Sequence, residues 1–94
     1  MFIVREVFTA KPGSASKLAR LFKDVFSSLP DLKMRVSTDY IASLNTVVLE
    51  TEVESLQEFE RHMAEYSSRA DIKERMKGYT ELYVKGRREV YRVV

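Results

Sequence analysis

Between Ser14 and Leu29 the large apolar residues all fall on one side of a helix. Leu18, Leu21, Phe22, Val25, Phe26 and Leu29 recur at the i, i+3, i+4, i+7 spacing. At about 100° per residue they occupy a sector of roughly 140°. Ser16, Lys17, Arg20, Lys23, Asp24 and Ser27 fill the rest of the wheel. So wide a stripe must be buried against something flat and apolar. Ser14 is placed to cap the start of the helix. Pro30 ends it, because the residue before a proline disfavours the helical region.

The flat surface is supplied by β-forming segments on either side. Residues 2–9 are rich in Phe, Ile and Val and read as a strand, broken by Lys11-Pro12-Gly13-Ser14. Residues 32–41 alternate, with Met34, Val36, Thr38 and Tyr40 on one face and Lys33, Arg35, Ser37 and Asp39 on the other. Ala42-Ser43-Leu44-Asn45 is a hairpin-length loop, and residues 46–53 form the return strand. Ser55 with Glu58 fits a capping box at the start of a second helix striped by Leu56, Phe59, Met63 and Tyr66. A short third helix carries Ile72 and Met76, and Gly78 is placed as its cap. Residues 79–94 are the last strand. Tyr79, Tyr83 and Tyr91 share one parity, and Gly86 marks a bulge or bend.

Strand, helix, strand, strand, helix, short helix, strand is an α+β order, the ferredoxin-like split βαβ pattern with a four-stranded antiparallel sheet. Ninety-four residues make a single domain, 1–94. Its apolar share of 45% excludes disorder. Helices cover only one face of such a sheet, yet Val47 and Val48, or Leu82 and Tyr83, put apolar groups on both. The uncovered face therefore has apolar area to hide, and a symmetric partner is the simplest cover.

Several function classes fall away. The net charge of +2 is too small to argue nucleic-acid binding, and no apolar run is long enough to span a membrane. Cysteine is absent, which removes disulfides, thiolate metal sites and cysteine nucleophiles. The start Met1-Phe2-Ile3-Val4-Arg5-Glu6 does not read as a signal peptide, so the expected address is the cytoplasm. No phosphate loop, dinucleotide fingerprint or serine elbow is present. A single histidine cannot build a multi-histidine metal site. No cofactor and no metal are expected.

The sequence resembles the dimeric α/β-barrel superfamily, which includes the antibiotic-biosynthesis-type monooxygenases and the NIPSNAP-like small proteins. The resemblance rests on several patterns: the Phe2–Thr9 strand, the Pro12-Gly13-Ser14 break into an amphipathic helix and the hairpin near Asn45. It rests also on the Glu52-Val53-Glu54-Ser55-Leu56-Gln57-Glu58-Phe59-Glu60 entry into the second helix and on the closing Arg88–Val94 strand. It implies a homodimer in which two sheets face each other as a barrel. It also implies a pocket for a small hydrophobic or aromatic molecule, as in cofactor-independent oxygenases. The alternatives are a non-enzymatic ligand-binding or stress protein, and a purely structural oligomerisation unit.

Candidate catalytic residues are His62, Tyr83 and Tyr91. His62 has the near-neutral pKa that suits proton transfer; the competing reading is a half-exposed histidine at the edge of the apolar stripe. Candidate ligand-binding residues are Tyr40, Tyr66 and Glu89. Tyrosine joins an apolar body to a polar tip, as an aromatic-lined pocket requires, although the same side chains could form cross-strand pairs at a dimer interface. Charged residues within strands either pair, as Arg5–Glu89 or Glu6–Arg87 could if the first and last strands are neighbours, or lie exposed at an edge.

Overall fold

The computed structural model describes residues 1–29 and 31–94; Pro30, expected to end the first helix, lies outside them. The elements are β1 (Phe2–Ala10), α1 (Ala15–Phe26), β2 (Lys33–Thr38), β3 (Thr46–Val53), α2 (Leu56–Ser67), α3 (Ala70–Arg75), a 3-10 turn (Tyr79–Glu81) and β4 (Tyr83–Arg92). The strands form one antiparallel sheet in the order β2-β3-β1-β4. This is the ferredoxin-like α+β arrangement that the element order predicts.

The helices lie on one face. Leu18 and Phe22 of α1 pack on Ala10, Val47 and Leu49. Val25 and Leu29 meet Tyr66 and Ile72. Phe59 of α2 closes over Val4 and Val53. Phe22, Leu18, Val4, Val25 and Val47 are almost wholly buried, so the stripe read from the sequence is the core. Burying Phe22 alone contributes about 2–3 kcal/mol of transfer free energy.

Local signals behave as their chemistry requires, with small shifts. The Ser55 hydroxyl accepts from the Glu58 amide at 3.1 Å. The Glu58 carboxylate reaches back one residue further than the capping box expects, accepting from the Glu54 amide at 3.2 Å. Ser14 stands at the start of α1 without a side-chain cap bond. The β2–β3 loop is longer than expected because β2 stops at Thr38. It is pinned where Asp39 accepts from the Thr46 amide at 2.9 Å.

The last strand departs most from expectation. Residues 79–81 form a 3-10 turn rather than strand, entered through Gly78 at φ 83°. The bulge is not at Gly86. Thr9 pairs with Lys85 and Ala10 with Tyr83, so Val84 has no partner opposite it. That extra residue changes the phase of the pleat. Tyr83 is turned to the helix side, where its ring lies 4.9 Å from Phe8, while Tyr91, opposite Ile3, stays on the other face. Equal parity in the sequence therefore does not put these tyrosines on one face. Gly86 sits opposite Phe8, whose ring leaves little room for a side chain there.

The face away from the helices is more charged than its apolar count suggests. Arg35, Glu50, Arg5 and Glu89 stand in register across all four strands. They form a row of ion pairs: Arg35 with Glu50, Arg5 with Glu50 at 3.8 Å, Arg5 with Glu89 at 3.5 Å, and Glu89 onward to Arg87 at 3.0 Å. Apolar pairs flank the row, Ile3 beside Tyr91 and Val7 beside Val48. The Arg5–Glu89 pair forms. The Glu6–Arg87 pair does not, because the register sets Glu6 opposite Arg88; those two pair on the helix side of the sheet.

Candidate functional site

Two concavities lie on opposite sides of the sheet. The first, of about 380 Å³, opens among the three helices. Phe26 enters from the end of α1, Met63 and Tyr66 from the stripe of α2, Ile72 from α3, and Met76 and Tyr79 from the segment that follows. Lys73 and Ser67 stand at its rim. The same apolar periodicity that packs the helices leaves this gap, because α3 is too short to cover both α1 and α2 fully.

Besides Lys73 and Ser67 at the rim, the polar groups of this helix-side groove are the phenols of Tyr66 and Tyr79. Burial pushes the Tyr66 hydroxyl above the usual tyrosine range, and Asp31 and Glu65 push it the same way. Burial also raises the Tyr79 pKa, helped by its neighbour Tyr83 and by Glu6. Both hydroxyls are therefore protonated donors at neutral pH. The rings have backing. His62 stacks on Tyr66 with centroids 5.9 Å apart and planes 7° from parallel, and Tyr83 lies 5.9 Å from Tyr79.

His62 is buried at 6% exposure, not half-exposed. Its Nε2 lies 3.6 Å from a carboxylate oxygen of Glu58. That is ion-pair range, but too long for a hydrogen bond. Its Nδ1 is buried with no partner. One carboxylate, Glu58, thus holds both the start of α2 and the approach to His62.

The second concavity, of about 610 Å³, lies on the open face under the β2–β3 loop. Val7 and Val48 form its floor, Thr9 and Thr46 one row of hydroxyls, and Tyr40, Ile41 and Leu44 a wall; Arg5, Lys85 and Arg87 bring cations.

The six residues singled out from the sequence divide between the two sides. His62, Tyr66 and Tyr83 lie behind the sheet, where Tyr66 lines the helix-side groove and the other two touch its lining tyrosines. Tyr40, Glu89 and Tyr91 belong to the open face. There Tyr40 is 96% exposed at the loop and Glu89 is locked between Arg5 and Arg87. Arg87 holds the Glu89 carboxyl below its usual range, with help from a Tyr91 hydrogen bond and from Arg5. No single cavity gathers all six.

Sequence reasoning did not single out Phe26, Met63, Ile72 and Met76 as lining residues, because their periodicity reads equally as core. Their one signal was the break at Ser67-Ser68, which leaves the second helix short of a full cover. Among the described residues, no group of three His, Asp or Glu side chains could hold a metal ion. No helix is long and apolar enough to cross a membrane.

No protein-family model matches the sequence, and no curated protein matches it. Solved structures do share the fold. A NIPSNAP domain protein of Burkholderia xenovorans superposes with a TM-score of 0.85 at 9% identity, covering 100% of this chain and 95% of that one. A NIPSNAP family protein of Agrobacterium tumefaciens gives 0.82 at 13% identity, over 100% and 94%. A proposed antibiotic biosynthesis monooxygenase of Deinococcus radiodurans gives 0.72 at 13% identity, over 100% and 93%. The chain thus has the fold of the NIPSNAP and monooxygenase-like proteins, as the sequence resemblance implies.

Proposed function

We propose that the protein is a homodimer that binds a small hydrophobic or aromatic molecule in the helix-side groove. The observation that carries the reading is the groove itself. Its volume of about 380 Å³ falls within the range of small-molecule sites, its lining is apolar, and its two phenols are donors. A flat ligand would pack against Phe26, Met63 and Ile72 and present an acceptor to Tyr66 or Tyr79. His62, stacked behind Tyr66, acts as a positioning residue for that ring. The monooxygenase-like version adds turnover to the same site; the ligand-binding version needs only the groove. The dimer rests on the resemblance and on the apolar pairs Ile3–Tyr91 and Val7–Val48 left on the open face.

Native mass spectrometry of the purified protein reports subunit number and any retained small molecule together. Titration with 2-naphthol then tests the groove. Binding that survives in Ile72→Asp, with the fold verified by circular dichroism, refutes the assignment. Product formation under air by the wild type, lost in His62→Ala with binding retained, separates an enzyme from a binder.

A further inference from the structure

We infer that the open-face concavity is a second site, built for a small organic anion. It is separate from the helix-side groove and requires neither that ligand nor the dimer. The argument rests on the register of the sheet. Along the open face the rows are Arg35–Glu50–Arg5–Glu89, then Val48–Val7–Arg87, then Thr46–Thr9–Lys85. Both carboxylates of these rows, Glu50 and Glu89, stand in the first. Glu50 is shared by Arg5 and Arg35, and Glu89 by Arg5 and Arg87, so two acids serve three guanidiniums.

Towards the loop the acids run out. Of the three cations lining the 610 Å³ concavity, Arg5 and Arg87 are already paired with Glu50 and Glu89, which leaves Lys85 as the unpaired one among the described residues. Asp39 is turned to the loop, where it accepts from the Thr46 amide, and no carboxylate stands within ion-pair distance of Lys85 among the described residues. A concave surface with surplus positive charge concentrates anions. Thr9 adds a hydroxyl beside Lys85. The rest of the lining is not that of a site for an inorganic ion: Val7, Val48, Tyr40, Ile41 and Leu44 supply a floor and wall for an apolar body. The chemistry recognised is an aromatic or branched aliphatic group carrying a carboxylate or sulfonate, with the acid against Lys85. If two sheets face each other, this concavity becomes an interior chamber of the barrel.

The probe is naphthalene-2-sulfonate, with the uncharged 2-naphthol as its control, titrated into the intact protein and followed by amide chemical shifts. The sulfonate is expected to move Val7, Thr9, Val48 and Lys85, and to do so about tenfold more weakly in Lys85→Gln and at raised ionic strength. Circular dichroism verifies the fold of the variant. Sulfonate shifts confined to Ile72, Met76 and Tyr79 would assign all binding to the helix-side groove and overturn the inference. Equal affinity of wild type and Lys85→Gln would overturn it too, as would no response at all. Because the two sites report through different amides, the failure of one leaves the other legible.

Discussion

The ring of Phe8 lies directly over Gly86 on the neighbouring strand: a Cβ built there comes within 3.1 Å of Phe8 Cδ1. Phe8 cannot easily yield, because Phe22 lies 5.1 Å away on one side and Tyr83 4.9 Å on the other. Gly86→Ala is therefore expected to cost about 1–2 kcal/mol by overpacking. Thermal unfolding would show this as a fall in Tm of roughly 5–10 °C. An unchanged Tm would mean that the aromatic cluster is looser than its geometry.

Phe22 and Phe26 occupy the same stripe but not the same environment. Phe22 is 1% exposed, and its truncation to alanine is expected to cost on the order of 3–5 kcal/mol. Phe26 is half-buried and lines the helix-side groove. Phe26→Ala should cost less than half as much and enlarge the groove. Chemical denaturation of both variants gives the comparison directly.

Acid should weaken the charged row in a defined direction. The Glu89 carboxyl is held below its usual pKa by Arg87, Tyr91 and Arg5. A depressed folded pKa stabilises the fold above the unfolded value, and that stabilisation is lost as pH falls through the folded one. Glu89→Gln should thus be less stable than wild type at pH 7. The gap should close as the pH drops below the ordinary glutamate range. Urea midpoints at neutral and acid pH measure it; a gap that widens with acid would contradict the pairing.

The open face makes a prediction about assembly. Val48→Lys adds a charge beside Val7, at a position no helix covers. If that face meets a second copy, light scattering should show a dimer for the wild type and a monomer for the variant, with the secondary structure retained. A wild-type monomer at micromolar concentration would remove the barrel.

The sheet and helices were legible because polarity has a period. Residues 46–53 alternate cleanly and are β3 to the residue, and the α1 stripe names the buried Leu18, Phe22 and Val25. Features that depend on register were not legible. Glu6 could face Arg87 or Arg88 until the pairing was known. The row from Arg35 to Glu89 is assembled from four separate stretches of chain. His62 lies off the centre of its stripe, yet it is buried, stacked on Tyr66. The groove escaped notice because the side chains around a gap share the apolar pattern of those that fill one.

The unpaired residue at Val84 also makes β4 tolerant of a change in length at one point. Excising it would let the pleat run straight through, with Tyr83 still opposite Ala10 and Lys85 still opposite Thr9. The same excision at Arg87 or Arg88 would invert one end of the strand and either strip Arg5 of its acid or turn Lys85 towards the helices. Chain length can drift at this joint without disturbing either chamber.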